Sequence, residues 1–239
     1  MAVITGSGMH DLFPARGELR VETAYGPATL YRCETASGRG FLFLPRHGPD
    51  HSVPPHRINF RANLSALREA GATRVLATSA VGSMTRRLPV GEMGLLDQFI
   101  DLSSSRATFF DDRPVHVDMT RPYDRALQRE VLGAASALGE RRPRTGLVYV
   151  SVDGPRYETA AEIRAFRILG GDVVGMTGAP EATLANELGL RYASMVVATN
   201  RAAGLQGRVS HDEVVEAMAT AAPRVRRLIE RTVEAANRI

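Results

Sequence analysis

The chain reads as an α/β fold, a mixed and mostly parallel central sheet flanked by helices. Three observations predict it. Apolar runs of strand length alternate with amphipathic runs of helix length along the 239 residues. Turns stand between several of them, at Thr5-Gly6-Ser7-Gly8, around Ser37-Gly38 and at Gly154-Pro155. The hydrophobic share of 44% supplies a core, yet no apolar run approaches the roughly 20 residues that span a bilayer. The length suits one domain over residues 1–239.

The elements follow in order. Val3 and Ile4 form a short strand that ends in the tight turn Thr5-Gly6-Ser7-Gly8. Residues 28–33 and 40–44 are strands of a hairpin around Ser37-Gly38. Residues 59–70 are amphipathic, with Leu64 and Leu67 at helical spacing. A buried strand over 74–79 runs into Ala80-Val81-Gly82-Ser83, a second strand covers 94–100, and a helix covers 123–138. The spacing then predicts strand 145–152, helix 160–169, strand 172–175, helix 180–188 and strand 191–198. A helical region over 211–239 closes the chain, with Ser210 as its N-cap and a kink at Pro223. No repeat, linker or low-complexity tract interrupts this order.

Charge and cysteine usage narrow the classes. All 30 basic residues are arginine, which excludes Schiff-base lysine chemistry and a P-loop lysine. The net charge of +4 is dispersed among acids, as over 125–130 and 224–234, so it reads as a solvated surface rather than a nucleic-acid footprint. The lone Cys33 excludes an internal disulfide and suits a reducing compartment. With a strand starting at Ala2, no signal peptide is expected, and the expected location is the cytoplasm.

The chemistry gathers at strand ends, where open α/β sheets bind ligands. Gly6-Ser7-Gly8 offers backbone N–H groups and a hydroxyl, a small nest for phosphate. It is not a dinucleotide fingerprint, because the position for the third glycine is Asp11. Arg46-His47-Gly48 follows a strand and offers a bidentate cation and a hydrogen-bond donor. Ser79, Ala80 and Thr177 add hydroxyls and N–H groups. Each Ser or Thr alone would be an ordinary turn cap; the repetition describes an oxyanion clamp. His47, His51 and His56 with Asp50 could also be read as a metal cluster, but the intervening prolines disfavour that, and no metal or cofactor is expected.

The segment Asp153-Gly154-Pro155-Arg156-Tyr157-Glu158-Thr159 follows the strand ending at Val152 and sets an aromatic ring beside a carboxylate. Gly175-Met176-Thr177 and Thr199-Asn200 end two further strands on small polar groups. An aromatic face, a carboxylate and a carboxamide suit a flat heterocycle with a ring N–H and a carbonyl, the edge of a 6-oxopurine.

These segments, in this order and spacing, resemble the trimeric purine nucleoside phosphorylase and methylthioadenosine phosphorylase family over essentially the whole chain. Pro45-Arg46-His47-Gly48, Thr78 to Ser83, Asp97 to Asp101, Gly154 to Thr159 and Gly175 to Glu181 carry the likeness, beside Thr5 to Gly8. The resemblance implies the nucleoside phosphorylase fold and a phosphate co-substrate held by Ser7, Arg46, His47, Ser79, the Ala80 N–H and Thr177. It places Met176 beneath the ribose, Tyr157 against the base, and Glu158 and Asn200, the catalytic pair, at the polar edge of the base. It implies that His116 enters a neighbouring subunit's site in a homotrimer, or a dimer of trimers, with Phe109-Phe110 near the boundary. His211 matches the histidine that binds a 5′-hydroxyl; otherwise it simply opens the last helix.

The base-edge pair implies the substrate class. Adenine-specific members carry a small hydroxyl where this chain has Glu158 and an aspartate where it has Asn200. A carboxylate accepts from N1–H of a 6-oxopurine, whereas adenine presents a lone pair at N1 and would repel it. Mispaired buried polar edges cost orders of magnitude in specificity. The implied activity is phosphorolysis of inosine and guanosine. S-methyl-5′-thioinosine remains the alternative, because Asn200 to Gly204 also resemble methylthioinosine phosphorylases; adenine nucleosides or plain hydrolysis rank below both.

Overall fold

The structure is a computed structural model that describes residues 1–235. Nine strands and five α-helices occur among them in the order β1 (Ala2–Thr5), β2 (Gly17–Thr23), β3 (Gly26–Glu34), β4 (Gly40–Pro45), α1 (Phe60–Glu69), β5 (Arg74–Ser83), β6 (Met93–Asp101), α2 (Arg125–Ala137), β7 (Arg144–Ser151), α3 (Ala160–Ile168), β8 (Val173–Gly175), α4 (Gly178–Glu187), β9 (Arg191–Arg201) and α5 (His211–Ala235). A short 3-10 helix spans Pro55–Arg57. Every strand and helix read from the sequence is present, with ends shifted by a few residues. The expected helix beyond residue 235 lies outside the described residues. Pro223 sits inside α5 without dividing it.

The sheet order is β2-β3-β4-β1-β5-β8-β7-β6-β9, and β9 also pairs with β5. Strands β5, β8, β7, β6 and β9 therefore close into a ring, which alternation along the chain does not reveal. The sheet is mixed, with five parallel and four antiparallel pairings. Strand β2 is absent from the sequence reading. Its Leu19 and Val21 alternate with Glu18, Arg20 and Glu22, so only one face is apolar and it forms the edge of the sheet.

Helices cover both faces. Leu64 and Leu67 of α1 and Ala182 and Leu184 of α4 share one core with Tyr149 and Tyr192. Leu127 and Val131 of α2 join Val225, Leu228 and Ile229 of α5 in a second. Helix starts are fastened by side chains: Asn59 accepts from Ala62 N–H, Asp124 from Leu127 N–H and Ser210 from Glu213 N–H.

Two strands run further than their apolar pattern suggests. β5 continues through Ser83 and β9 through Arg201, pairing in parallel along their length. Their register shifts at Val81/Gly82, so Val81 faces Ala198 while Gly82 faces Asn200. Thr199 is the extra residue of this β-bulge. A regular strand would turn Thr199 and Asn200 to opposite faces; the bulge lets both border the same cavity.

Candidate active site

A cavity of about 390 Å³ opens at the ends of β1, β4, β5, β8 and β9. Ser7, Arg46, His47, Ser79, Ala80 and Thr177 border it. So do Tyr157, Glu158, Met176, Asn200 and His211. His116 does not: it is exposed in the long segment between β6 and α2.

Arg46 corrects an expectation. Its bidentate fork does not face the cavity but grips a carboxylate, Nε donating to Glu181 Oε2 at 2.9 Å and Nη2 to Glu181 Oε1 at 2.8 Å. Nη1 donates to the Thr78 carbonyl at 2.6 Å. Both side chains of the pair are 1% exposed. A guanidinium buried this deeply requires a counter-charge, and Glu181 provides it. The remaining N–H groups of Arg46 are left for a ligand. The pairing with Glu181 also raises the Arg46 pKa against the lowering effect of burial. Gly6 makes room for this arrangement, because a Cβ there would lie 2.6 Å from Arg46 Nη1.

His47 corrects a second expectation, that it offers a donor. Its Nδ1 lies 2.8 Å from the Val53 carbonyl, which can only accept, so Nδ1 carries the proton and Nε2 presents a lone pair. Burial, and after it the neighbouring Arg46, lower its pKa to about 4. His47 is thus a neutral acceptor at pH 7, suited to the O–H of a hydrogenphosphate.

Thr177 caps α4 without using its own side chain. The first amides of the helix, Thr177 N–H and Gly178 N–H, both donate to the Tyr149 hydroxyl at 3.2 Å. Burial pushes the Tyr149 hydroxyl up to about 12, so it stays protonated. Tyr149 fits beneath the turn because Gly175 and Gly178 lack side chains; a Cβ at either would fall within 3.0 Å of its ring or hydroxyl.

Tyr157 and Glu158 are set by the start of α3. Thr159 and Glu162 form a capping box, and Arg156 clamps Glu162 with bonds of 2.9 and 2.8 Å. Arg156 also donates to the Tyr157 carbonyl. The residues flanking Glu158 are thereby fastened, while its carboxylate borders the cavity. Burial raises the Glu158 pKa, as does Glu162, while a hydrogen bond from its own backbone and the charge of Arg156 oppose the rise. Asn200 is tethered at both ends: Oδ1 accepts from Thr199 Oγ1 at 2.8 Å, and Nδ2 donates to the Arg201 carbonyl at 2.9 Å. One N–H and one oxygen lone pair remain for a ligand.

The histidines group differently from the metal cluster considered above. His51 lies with its ring centroid 4.7 Å from His47, 5.8 Å from His211 and 6.2 Å from His10, whereas His56 is exposed on the 3-10 helix. Among the described residues, no three His, Cys, Asp or Glu side chains are placed to hold a metal ion.

Sequence reasoning missed Glu181, Tyr149 and Tyr192. Glu181 carried a signal, since a carboxylate in the apolar first turn of a buried helix needs a cation, but not the identity of that cation. His51 was noticed only as a metal ligand.

Hydroxyls and an arginine at strand ends border one cavity with an aromatic ring, a carboxylate and a carboxamide, on an α/β scaffold. The comparisons agree: residues 1–234 match the profile of the Phosphorylase superfamily, and the chain belongs to that family. It is 47% identical over 230 residues to a 6-oxopurine nucleoside phosphorylase of Pyrococcus furiosus, covering 91% of this chain and 86% of the relative. It is 44% identical over 237 residues to a probable S-methyl-5′-thioinosine phosphorylase of Methanopyrus kandleri, covering 98% and 91%. Among solved structures, methylthioadenosine phosphorylase from Schistosoma mansoni in complex with adenine superposes with a TM-score of 0.91 at 30% identity, covering 98% of this chain and 91% of that one. No described helix is long and apolar enough to cross a membrane.

Proposed function

We propose that the protein is a purine nucleoside phosphorylase that cleaves 6-oxopurine nucleosides, inosine and guanosine, with inorganic phosphate. The observation that carries this reading is the base-edge pair: a cavity-facing Glu158 carboxylate with Asn200 held by Thr199 and Arg201. Relatives named for 6-oxopurine nucleosides support it. Adenine, seen in the Schistosoma structure, would set its N1 lone pair against Glu158.

In the proposed reaction, Ser7, Ser79, Thr177, the Ala80 N–H and the free edge of Arg46 hold phosphate, whose O–H faces His47 Nε2. Met176 lies beneath the ribose and Tyr157 stacks on the base. As the bond between C1′ and N9 breaks, its electron pair passes to the purine and positive charge spreads over the ribose. The phosphate anion stabilises that charge and then bonds to C1′, giving ribose 1-phosphate. Glu158 accepts from N1–H and Asn200 donates to O6; the departing purine anion takes a proton from solvent water at N7, and Asn200 Oδ1 accepts from the N7–H so formed. The catalysis is positioning and charge stabilisation.

S-methyl-5′-thioinosine is the second reading, supported by relatives of that name at 42–44% identity. It differs only at the 5′ substituent, where His211 stands. The decisive experiment measures base release from inosine, guanosine, methylthioinosine and adenosine with and without phosphate. Hypoxanthine release that depends on phosphate is expected; equal release in phosphate-free buffer would point to a hydrolase. Arg46→Ala should raise the phosphate KM strongly, since a charge-assisted contact is lost.

We further propose a homotrimer, or a dimer of such trimers, in which His116 completes a neighbouring site.

A further inference from the structure

We infer that Glu181 and Tyr192 are positioning residues for the phosphate co-substrate, orienting Arg46 so that its uncommitted N–H edge faces the cavity. The inference rests on the reading of Arg46 as a phosphate ligand. Arg46 follows β4 on a long side chain that could adopt many rotamers. Three bonds, to both oxygens of Glu181 and to the Thr78 carbonyl, fix the position and rotation of its planar head. Tyr192 then locks the carboxylate, its hydroxyl donating to Glu181 Oε1 at 2.7 Å.

The placement of Glu181 gives this network its purpose. It lies four residues after Thr177, the N-cap of α4, so both lie on one face of that helix start, one turn apart. Thr177 is itself held by the Tyr149 hydroxyl. One rigid helix thus fixes two phosphate-side groups that come from distant parts of the chain, the Thr177 hydroxyl directly and the Arg46 guanidinium through Glu181. Neither Glu181 nor Tyr192 borders the cavity. Both act through Arg46, and a displacement near 1 Å of such a donor can cost orders of magnitude in rate.

Two substitutions test this without unmasking the Arg46 charge. Glu181→Asp keeps the charge but shortens its reach, and Tyr192→Phe removes only the hydroxyl. Wild-type phosphate-dependent cleavage is measured first; without it the functional reading fails, not this inference. Glu181→Asp should then raise the phosphate KM by about tenfold or more, with the nucleoside KM nearly unchanged. Tyr192→Phe should give a smaller rise in the same direction, and none in an Arg46→Ala background, because the two act as one unit. Should Glu181→Asp fail to fold, or Arg46→Ala fail because it strips the buried Glu181 of its counter-charge, Tyr192→Phe alone carries the test through the split between the phosphate and nucleoside KM values. A parental phosphate KM in the folded variants, equal rises for both substrates, or an undiminished Tyr192→Phe effect without Arg46 would overturn the inference.

Discussion

On the proposed reading, Glu158 and Asn200 together select the base, and both border the cavity. Asn200→Asp should weaken cleavage of 6-oxopurine nucleosides and improve adenosine relative to the parent, because an aspartate accepts from the exocyclic amine and, when protonated, donates to N7. Glu158 would still oppose adenine at N1, so adding Glu158→Ser should move the preference further, and non-additively, since both touch one ring. The measurement is the ratio of kcat/KM for inosine and adenosine; an unchanged ratio in the double variant would remove the base-reading role. His47 makes a different prediction. Its folded pKa near 4 lies below the ordinary 6.5, so the folded state favours the neutral ring. Its contribution is present above pH 6.5 and is lost as pH falls toward 4, by at most about 3 kcal/mol. Urea midpoints should fall over this window, and His47→Asn should flatten the fall.

At the scale of elements, the start of α3 fastens the segment that carries Tyr157 and Glu158. Thr159→Ala removes one arm of the capping box and should cost about 1 kcal/mol of stability, read from thermal or urea unfolding. Because the same box fastens the residues beside Tyr157 and Glu158, the nucleoside KM should rise while the phosphate KM stays near the parent. Equal changes in both would mean that the helix start supports the cavity as a whole. The strand and helix elements were legible because each buries an apolar face with the right period. β2 does not stand out in the sequence although Leu19 and Val21 alternate with charges, since an edge strand buries little apolar surface. The bulge at Thr199 could not be read at all: it is a relation between β5 and β9, not a property of either.

For the whole molecule, the exposed segment between β6 and α2 holds His116 outside its own cavity. If that residue serves a neighbour, light scattering should find a trimer or hexamer, and His116→Ala should lower activity while leaving the fold and assembly intact. A fully active monomer would contradict the assembly.

The sequence by itself determined the α/β class, the order of the elements apart from β2, and most of the residues that gather at the cavity, though not His51, and it added His116, which stands outside. Those features follow from hydrophobic period, turn chemistry and short polar motifs, which are local, and from the resemblance those motifs carry. Tertiary structure decided what each residue does with its atoms. Only packing could bring Glu181 and Tyr192 to the back of Arg46, turning its fork away from the cavity. Only the Val53 carbonyl could set the tautomer of His47 and make it an acceptor. Closure of β9 onto β5 likewise set Asn200 into the cavity. The physical reason is that a buried charge or ring nitrogen takes its role from the partner that satisfies it, and folding chooses that partner, whether six residues on, as Val53 is from His47, or 135 residues on, as Glu181 is from Arg46.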